Sequence, residues 1–127
     1  MRLLCDTQII IWAMTEDDRL RPATAKLITD RGNEVFFSIV SLWEVAIKVR
    51  QGRIGVGVEA LRERCGFMGM SPLNLEVAHL TAVSRMTDVL HNDPFDHLLI
   101  AQAVAERVPL LTSDSTVQRY PIDIIKA

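Results

Sequence analysis

Two cysteines, no long apolar run and no surplus of basic charge set the first limits on this 127-residue chain. Cys5 and Cys65 form no C-x-x-C or other metal-type spacing, so cysteine does not point to a metal site. Cys5 falls inside an apolar run, where a reduced, buried thiol is expected. No stretch approaches the roughly 18 apolar residues of a membrane span. The start, Met1-Arg2-Leu3-Leu4-Cys5-Asp6, is too short an apolar run for a signal peptide. These absences lead to the expectation of a cytoplasmic protein with no membrane partner. The 14 basic and 16 acidic residues leave a net charge of −2, which argues against a standing, non-specific nucleic-acid binder. It does not argue against a nuclease whose acids are offset by metal. Internal repeats and low-complexity segments are absent as well.

What is present suits one packed domain spanning residues 1–127. The apolar fraction is 49% and the mean hydropathy is +0.18. A chain of this size buries roughly two thirds of its unfolded surface and needs no staples. Residues 2–6 read as a short buried strand and Thr7–Met14 as a helix, followed by the charged loop Glu16-Asp17-Asp18-Arg19. Pro22 suits a first helical turn that continues over Ala23–Asp30, with Gly32-Asn33 as the stop. Val35-Phe36-Phe37-Ser38 is β-branched and aromatic, a second strand. Ser41 then caps a helix running to about Gln51, ended by Gly52. The glycine-rich stretch Arg53–Met70 is the least readable, with a short helix at Val58–Cys65. Ser71–Leu75 reads as a short extended piece and Glu76–Met86 as a helix. Asp93–Arg107 carries the clearest helix pattern, opened by Asp93-Pro94. Pro109–Thr112 and Ile122–Ile125 are the last strands. Strands alternating with helices predict a parallel sheet covered on both faces.

Four acids fall where a strand ends or a helix begins: Asp6, Glu44, Asp96 and Asp114. In an α/β sheet those positions share one edge, where ligands usually bind. Taken singly, each acid has a capping explanation. Ser41-Leu42-Trp43-Glu44 reads as a capping box. Asp93 suits an N-cap with Pro94 at the first helical position, which leaves Asp96 as a first-turn acid. Asp6 and Asp114 can cap the segments that follow them. Four acids at equivalent topological positions are nevertheless more than caps require. Carboxylates brought together repel one another unless a cation neutralises them, and hard ions such as Mg²⁺ or Mn²⁺ prefer oxygen ligands.

The neighbours add to the pattern. Thr7, Ser41, Thr112 and Ser113 place hydroxyls beside the acids, suited either to capping or to orienting ligands. Lys48, Arg50 and Arg53 follow Glu44 and could steer a phosphate backbone, or simply complement a helix C-terminus. His91 and His97 lack H-E-x-x-H or cysteine partners and read as surface residues, with His97 on a substrate phosphate as the sharper alternative. His79 suggests only packing or solvent, and Trp12 and Trp43 read as core or partner-contact residues.

These residues resemble a known family. Leu4-Cys5-Asp6-Thr7-Gln8-Ile9-Ile10-Ile11-Trp12 is similar to the opening "LLDTHxLLW" of PIN-domain proteins. Ser38 to Lys48 is similar to the family's second acidic segment. His91-Asn92-Asp93-Pro94-Phe95-Asp96-His97-Leu98-Leu99-Ile100-Ala101-Gln102-Ala103 resembles "HxDPFDRLLIAQA", and Leu110 to Asp114 matches the last strand and acid. The resemblance spans nearly the whole chain, in order, and is greatest to VapC-type toxins of bacterial type II toxin–antitoxin systems. It implies a PIN-like α/β/α sandwich with a central parallel β-sheet. It also implies a Mg²⁺- or Mn²⁺-dependent ribonuclease with Asp6, Glu44, Asp96 and Asp114 around the metal and Asp93 as an auxiliary acid. An antitoxin partner and a homodimer are implied too. Two positions depart from the pattern: His97 stands where Arg is frequent, and Gln8 where His is frequent.

The chemistry expected is in-line attack of a metal-activated water on an RNA phosphodiester. A haloacid-dehalogenase-type phosphatase needs D-x-D, and the sequence has Asp6-Thr7-Gln8. A receiver domain needs an aspartate ending a middle strand and a lysine ending a late one, and neither arrangement is present. A non-catalytic PIN-like scaffold that binds RNA or protein stays open as the alternative.

Overall fold

The first strand sorts the molecule into layers. In β1 (Arg2–Cys5), Leu3 and Cys5 face one side and Leu4 the other, as the two-residue period of a strand requires. The computed structural model describes residues 1–127. After β1 come α1 (Thr7–Thr15), α2 (Pro22–Thr29), β2 (Glu34–Ser38), α3 (Ile39–Arg50) and α4 (Val58–Phe67). Then follow β3 (Ser71–Leu73), α5 (Val77–Ser84), α6 (Pro94–Glu106), β4 (Leu110–Thr112) and β5 (Ile124–Lys126). Leu3 and Cys5 pack with Ile9 and Ile10 of α1, Ile28 of α2, Val45 of α3 and Leu61 of α4. Leu4 packs on the opposite face with Leu99 and Ile100 of α6 and with Tyr120, and α5 lies against α6. The result is the expected α/β/α sandwich. Cys5 and Cys65 are free, buried thiols, and burial pushes Cys65 up to about 12. No helix is long and apolar enough to cross a membrane.

The sheet is wholly parallel, in the order β3-β2-β1-β4-β5. The chain moves outward from β1 through β2 to β3, then returns to the other side of β1 for β4 and β5. The order therefore reverses between β1 and β4. The crevice outside the carboxyl ends of such a pair is the usual ligand position in open α/β sheets. Asp6 follows β1 directly, and Asp114 lies just past β4.

Local chemistry sets most element ends. Asp6 ends β1 and becomes the N-cap of α1, its side chain accepting from the Gln8 amide. Pro22 and Pro94 occupy first helical positions. Gly52, at φ +71°, follows the C-cap of α3 in the left-handed region that favours glycine. Three expectations need correction at the ends of elements. β5 runs over Ile124–Lys126 rather than Ile122–Ile125, α5 is shorter than Glu76–Met86, and α4 extends two residues beyond Val58–Cys65.

The larger correction concerns α3. Ser38, not Ser41, is its N-cap: the Ser38 hydroxyl accepts from the Val40 amide at 3.0 Å and donates to Gln102 Oε1. β2 thus passes straight into α3, with no loop between them. The capping box Ser41-x-x-Glu44 does not form, and Glu44 sits in the second turn rather than the first. The physical reason is the buried Gln102 carboxamide on α6, a partner 64 positions away that ties Ser38 down.

Ser38→Ala is expected to lower stability by about 2–4 kcal/mol, combining a lost cap with an orphaned buried carbonyl. Urea unfolding gives the size of the loss. Amide exchange locates it: Val40 loses protection in Ser38→Ala and keeps it in Ser41→Ala. Val40 keeping its protection in Ser38→Ala, with Trp43 or Glu44 losing theirs in Ser41→Ala, would restore Ser41 as the cap.

Candidate active site

Asp6 anchors the edge. Its carboxylate accepts from the Gln8 amide at 3.3 Å and from the Thr112 hydroxyl at 2.6 Å, while its own amide donates to Leu111 O at 2.9 Å. The Thr112 hydroxyl also accepts from the Asp114 amide at 3.1 Å, so one side chain couples both strand ends. Asp114 Oδ1 accepts from the amides of Thr116 (2.8 Å) and Val117 (3.0 Å), at the entry to a single 3₁₀ turn over Val117–Arg119. On the other side, the Thr7 hydroxyl donates to Ser41 Oγ at 2.8 Å and binds α1 to α3. One turn beyond Ser41, Glu44 is buried at 6% exposure. Glu44 Oε2 meets Lys48 Nζ at 2.6 Å, whereas Oε1 is buried with no hydrogen-bond partner. From α6, Asp93 accepts from the amides of Phe95 (2.9 Å) and Asp96 (3.2 Å) as the N-cap. Asp96 Oδ2 meets His91 Nε2 at 2.9 Å.

The electrostatics follow from this crowding. Burial raises the Asp6 carboxyl above its ordinary value, and repulsion from Glu44 and Asp114 adds to the rise, against the Thr112 and Gln8 hydrogen bonds. Burial likewise pushes Asp96 up to about 6, helped by repulsion from Asp6, Asp93 and Glu44 and opposed by the His91 hydrogen bond. Asp6 therefore feels Glu44 and Asp114, and Asp96 feels Asp6 and Glu44, across elements far apart in sequence. Lys48 is the only lysine or arginine paired with any of them.

Donor chemistry fits a hard divalent cation: every acid offers carboxylate oxygen, and Glu44 Oε1 is a buried acceptor with nothing to accept from. As the side chains stand, no three acidic, histidine or cysteine residues form a metal-holding group. One oxygen each of Glu44, Asp96 and Asp114, and both oxygens of Asp6, are already occupied by protein donors. A cavity of about 640 Å³ lies elsewhere, between α5, α6 and the segment Tyr120–Ile122.

Several sequence readings change. Lys48 is not free to steer phosphate; it neutralises Glu44. His97 does not face the acids through its Nε2, which donates to His91 O at 2.7 Å. His91 is not a free surface residue: it lies between Asp96 and the Tyr120 hydroxyl. Its one sequence signal was a position five residues before Asp96, and its other partner, Tyr120, is 29 positions away. His79, expected only to pack or meet solvent, is buried and bonded to Glu106 and the Glu76 amide. Trp43 is half exposed and packs edge-on against Phe95 at 4.8 Å, and Trp12 lies beneath the Arg19 guanidinium.

The family model described as PIN domain matches residues 3–123. No curated protein matches the chain. Among solved structures, the chain is similar to one from VapBC2 of Rickettsia felis bound to a DNA fragment from their promoter, with a TM-score of 0.74 at 16% identity. That match covers 99% of this chain and 98% of that one. Similarity to DNA-bound VapBC from Salmonella typhimurium covers the same shares, with a TM-score of 0.70 at 17% identity. VapBC-1 from nontypeable Haemophilus influenzae gives 0.68 at 17% identity, again over 99% and 98%. At such identities the likeness speaks for the fold.

Two predictions follow from the charges. Lys48→Met leaves Glu44 buried without a counter-charge and is expected to cost about 2–3 kcal/mol, largely recovered in Lys48→Met/Glu44→Gln. Equal losses in the single and double variants, measured by urea unfolding, would remove the pairing. For Asp96, the folded metal-free protein keeps its proton up to about pH 6, whereas the unfolded chain releases it near 3.9. The native state binds more protons between these values, so this contribution to stability is full below about pH 4 and lost as pH rises through 6. In EDTA, wild-type Tm minus Asp96→Asn Tm is expected to be greater at pH 5 than at pH 7. A difference independent of pH would contradict the raised value.

Proposed function

This chain belongs to the PIN domain family, and from that membership we propose that it is a Mg²⁺- or Mn²⁺-dependent endoribonuclease acting as the toxin of a type II toxin–antitoxin pair. The observation that carries the nuclease reading is Glu44 Oε1, a buried and unpartnered acceptor within a set of mutually repelling carboxylates at the point where strand order reverses. Asp6, Asp96 and Asp114 would be the main ligands, with Glu44 binding directly or through water. When bound, the cation would act as a Lewis acid on the phosphodiester and make the attacking water more acidic.

The chain's own residues hold the arrangement. Thr112 and the Gln8 amide fix Asp6 from two directions, so its carboxylate has little freedom to turn away. The Thr7–Ser41 hydrogen bond sets the distance between α1 and α3 and thereby the depth of Glu44. Asp93 acts as auxiliary acid by fixing the first turn of α6, which carries Asp96. Arg50 and Arg53, both exposed beyond Lys48, would meet the RNA backbone and draw it toward the acids.

The toxin reading rests on the resemblance to VapC-type sequences and on neighbours that are VapBC complexes. The proposed partner is a small antitoxin whose segment covers apolar surface near Trp12 and the exposed Trp43. The proposal includes a single domain over 1–127, a homodimer within the toxin–antitoxin complex and residence in the cytoplasm.

The test is cleavage of a mixed RNA pool by purified, partner-free protein with Mg²⁺, Mn²⁺ or EDTA. Metal-dependent cutting is expected, falling in Asp6→Asn by more than the roughly 10–100-fold typical of outer-shell changes. Cleavage that persists in EDTA or in pure Asp6→Asn would sink the assignment. No cleavage by a folded, metal-binding protein would favour the non-catalytic scaffold.

A further inference from the structure

His91 is gripped from three sides. Its Nε2 lies 2.9 Å from Asp96 Oδ2, its Nδ1 lies 2.8 Å from the Tyr120 hydroxyl, and its backbone carbonyl accepts from His97 Nε2 at 2.7 Å. The Tyr120 oxygen also accepts from the Leu90 amide at 3.0 Å. With a neutral His91 ring these contacts have one consistent direction. A carboxylate only accepts, so His91 Nε2 carries the hydrogen toward Asp96. In the neutral ring Nδ1 is then an acceptor, and the Tyr120 hydroxyl donates to it. That leaves the Tyr120 oxygen free to accept from Leu90, as observed. Each contact in the chain Leu90–Tyr120–His91–Asp96 then pairs one donor with one acceptor.

The far end of this chain is rigid. Tyr120 is buried at 4% exposure and packs with Leu4, Leu99 and Ile100, on the sheet face opposite α1. The rings of His91 and Tyr120 meet edge-on at 5.5 Å, and those of His91 and His97 at 5.2 Å. Asp96, by contrast, is half-buried at the first turn of α6 and is repelled by Asp6, Asp93 and Glu44. Without a donor on Oδ2 it would rotate away from the cluster. Imidazoles and hydroxyls that orient ligating carboxylates alter metal affinity without touching the metal.

We infer that His91 and Tyr120 are positioning residues that hold the Asp96 carboxylate toward its neighbours, with Tyr120 acting only through His91. This rests on the reading of Asp96 as a cation ligand. His97 sets the backbone of the same loop and so belongs to the support, a role other than phosphate contact.

The test is calorimetric titration of Mn²⁺ into wild-type protein, Tyr120→Phe, His91→Ala, the double variant and Asp96→Asn, at one pH and without RNA. Tyr120→Phe removes one hydroxyl and keeps the ring in the core, so the fold is retained. Mn²⁺ affinity is expected to fall about tenfold or more in Tyr120→Phe and at least as far in His91→Ala. The double variant should bind no more weakly than His91→Ala, because Tyr120 has no other route to Asp96. His91→Gln, which keeps a donor near the Nε2 position, should recover part of the loss. Affinity unchanged in Tyr120→Phe and His91→Ala, with Asp96→Asn impaired, would overturn the positioning role and leave the metal reading intact. Losses that multiply in the double variant would assign Tyr120 to packing and overturn the relay. Asp96→Asn binding as tightly as wild type would overturn the metal reading, and the positioning role with it.

Discussion

Repulsion among carboxylates at the carboxyl ends of β1 and β4 is the constraint around which the rest of this edge is arranged. Asp6 is nearly buried and meets the field of Glu44 and Asp114, and Asp96 meets that of Asp6, Asp93 and Glu44. Such a group of charges is costly in a low dielectric unless each finds a donor. The protein gives each acid at least one. Thr112 and the Gln8 amide serve Asp6, Lys48 serves Glu44, His91 serves Asp96, and the 3₁₀ turn serves Asp114. The supply is partial, since Glu44 Oε1 has no partner at all. An edge held together in this half-compensated way is suited to a cation that completes it.

The donors come from every layer of the sandwich, which links the site to the fold. Thr112 is the last residue of β4, and Gln8 lies in the first turn of α1. Lys48 reaches Glu44 along α3 at helical spacing. His91 is itself fixed by Tyr120, a residue of the core beneath α6. Parallel order brings the ends of β1 and β4 together, and the change of direction between them leaves the crevice open. Structures only 16–17% identical share this scaffold over almost the whole chain. Layering depends on alternating apolar positions and on caps, which many sequences can supply.

What could be read from the sequence was mostly local. Asp6 as a strand end, Asp93-Pro94 as a helix start and Gly52 as a helix stop each depend on neighbours within a few residues. Ser41 misled because its spacing to Glu44 imitates a capping box, while the true cap, Ser38, is fixed by Gln102 on a distant helix. Glu44 and Lys48 were each visible, and their i,i+4 spacing allowed the pair. Their shared burial decided it, and burial is a tertiary property. His91 and His79 were undervalued for the same reason: Tyr120, Asp96 and Glu106 approach them only after folding. That the four acids follow strand ends or lie near helix starts was legible from the sequence, but the hydrogen bonds that orient them were not.

The most direct test of the account is diffraction from crystals equilibrated with Mn²⁺, recorded where the ion scatters anomalously. An anomalous peak is expected, enclosed by the carboxylates of Asp6, Glu44, Asp96 and Asp114, with Glu44 Oε1 turned toward it. Ordered carboxylates with no anomalous peak among them at saturating Mn²⁺, and Lys48 unmoved on Glu44, would contradict it.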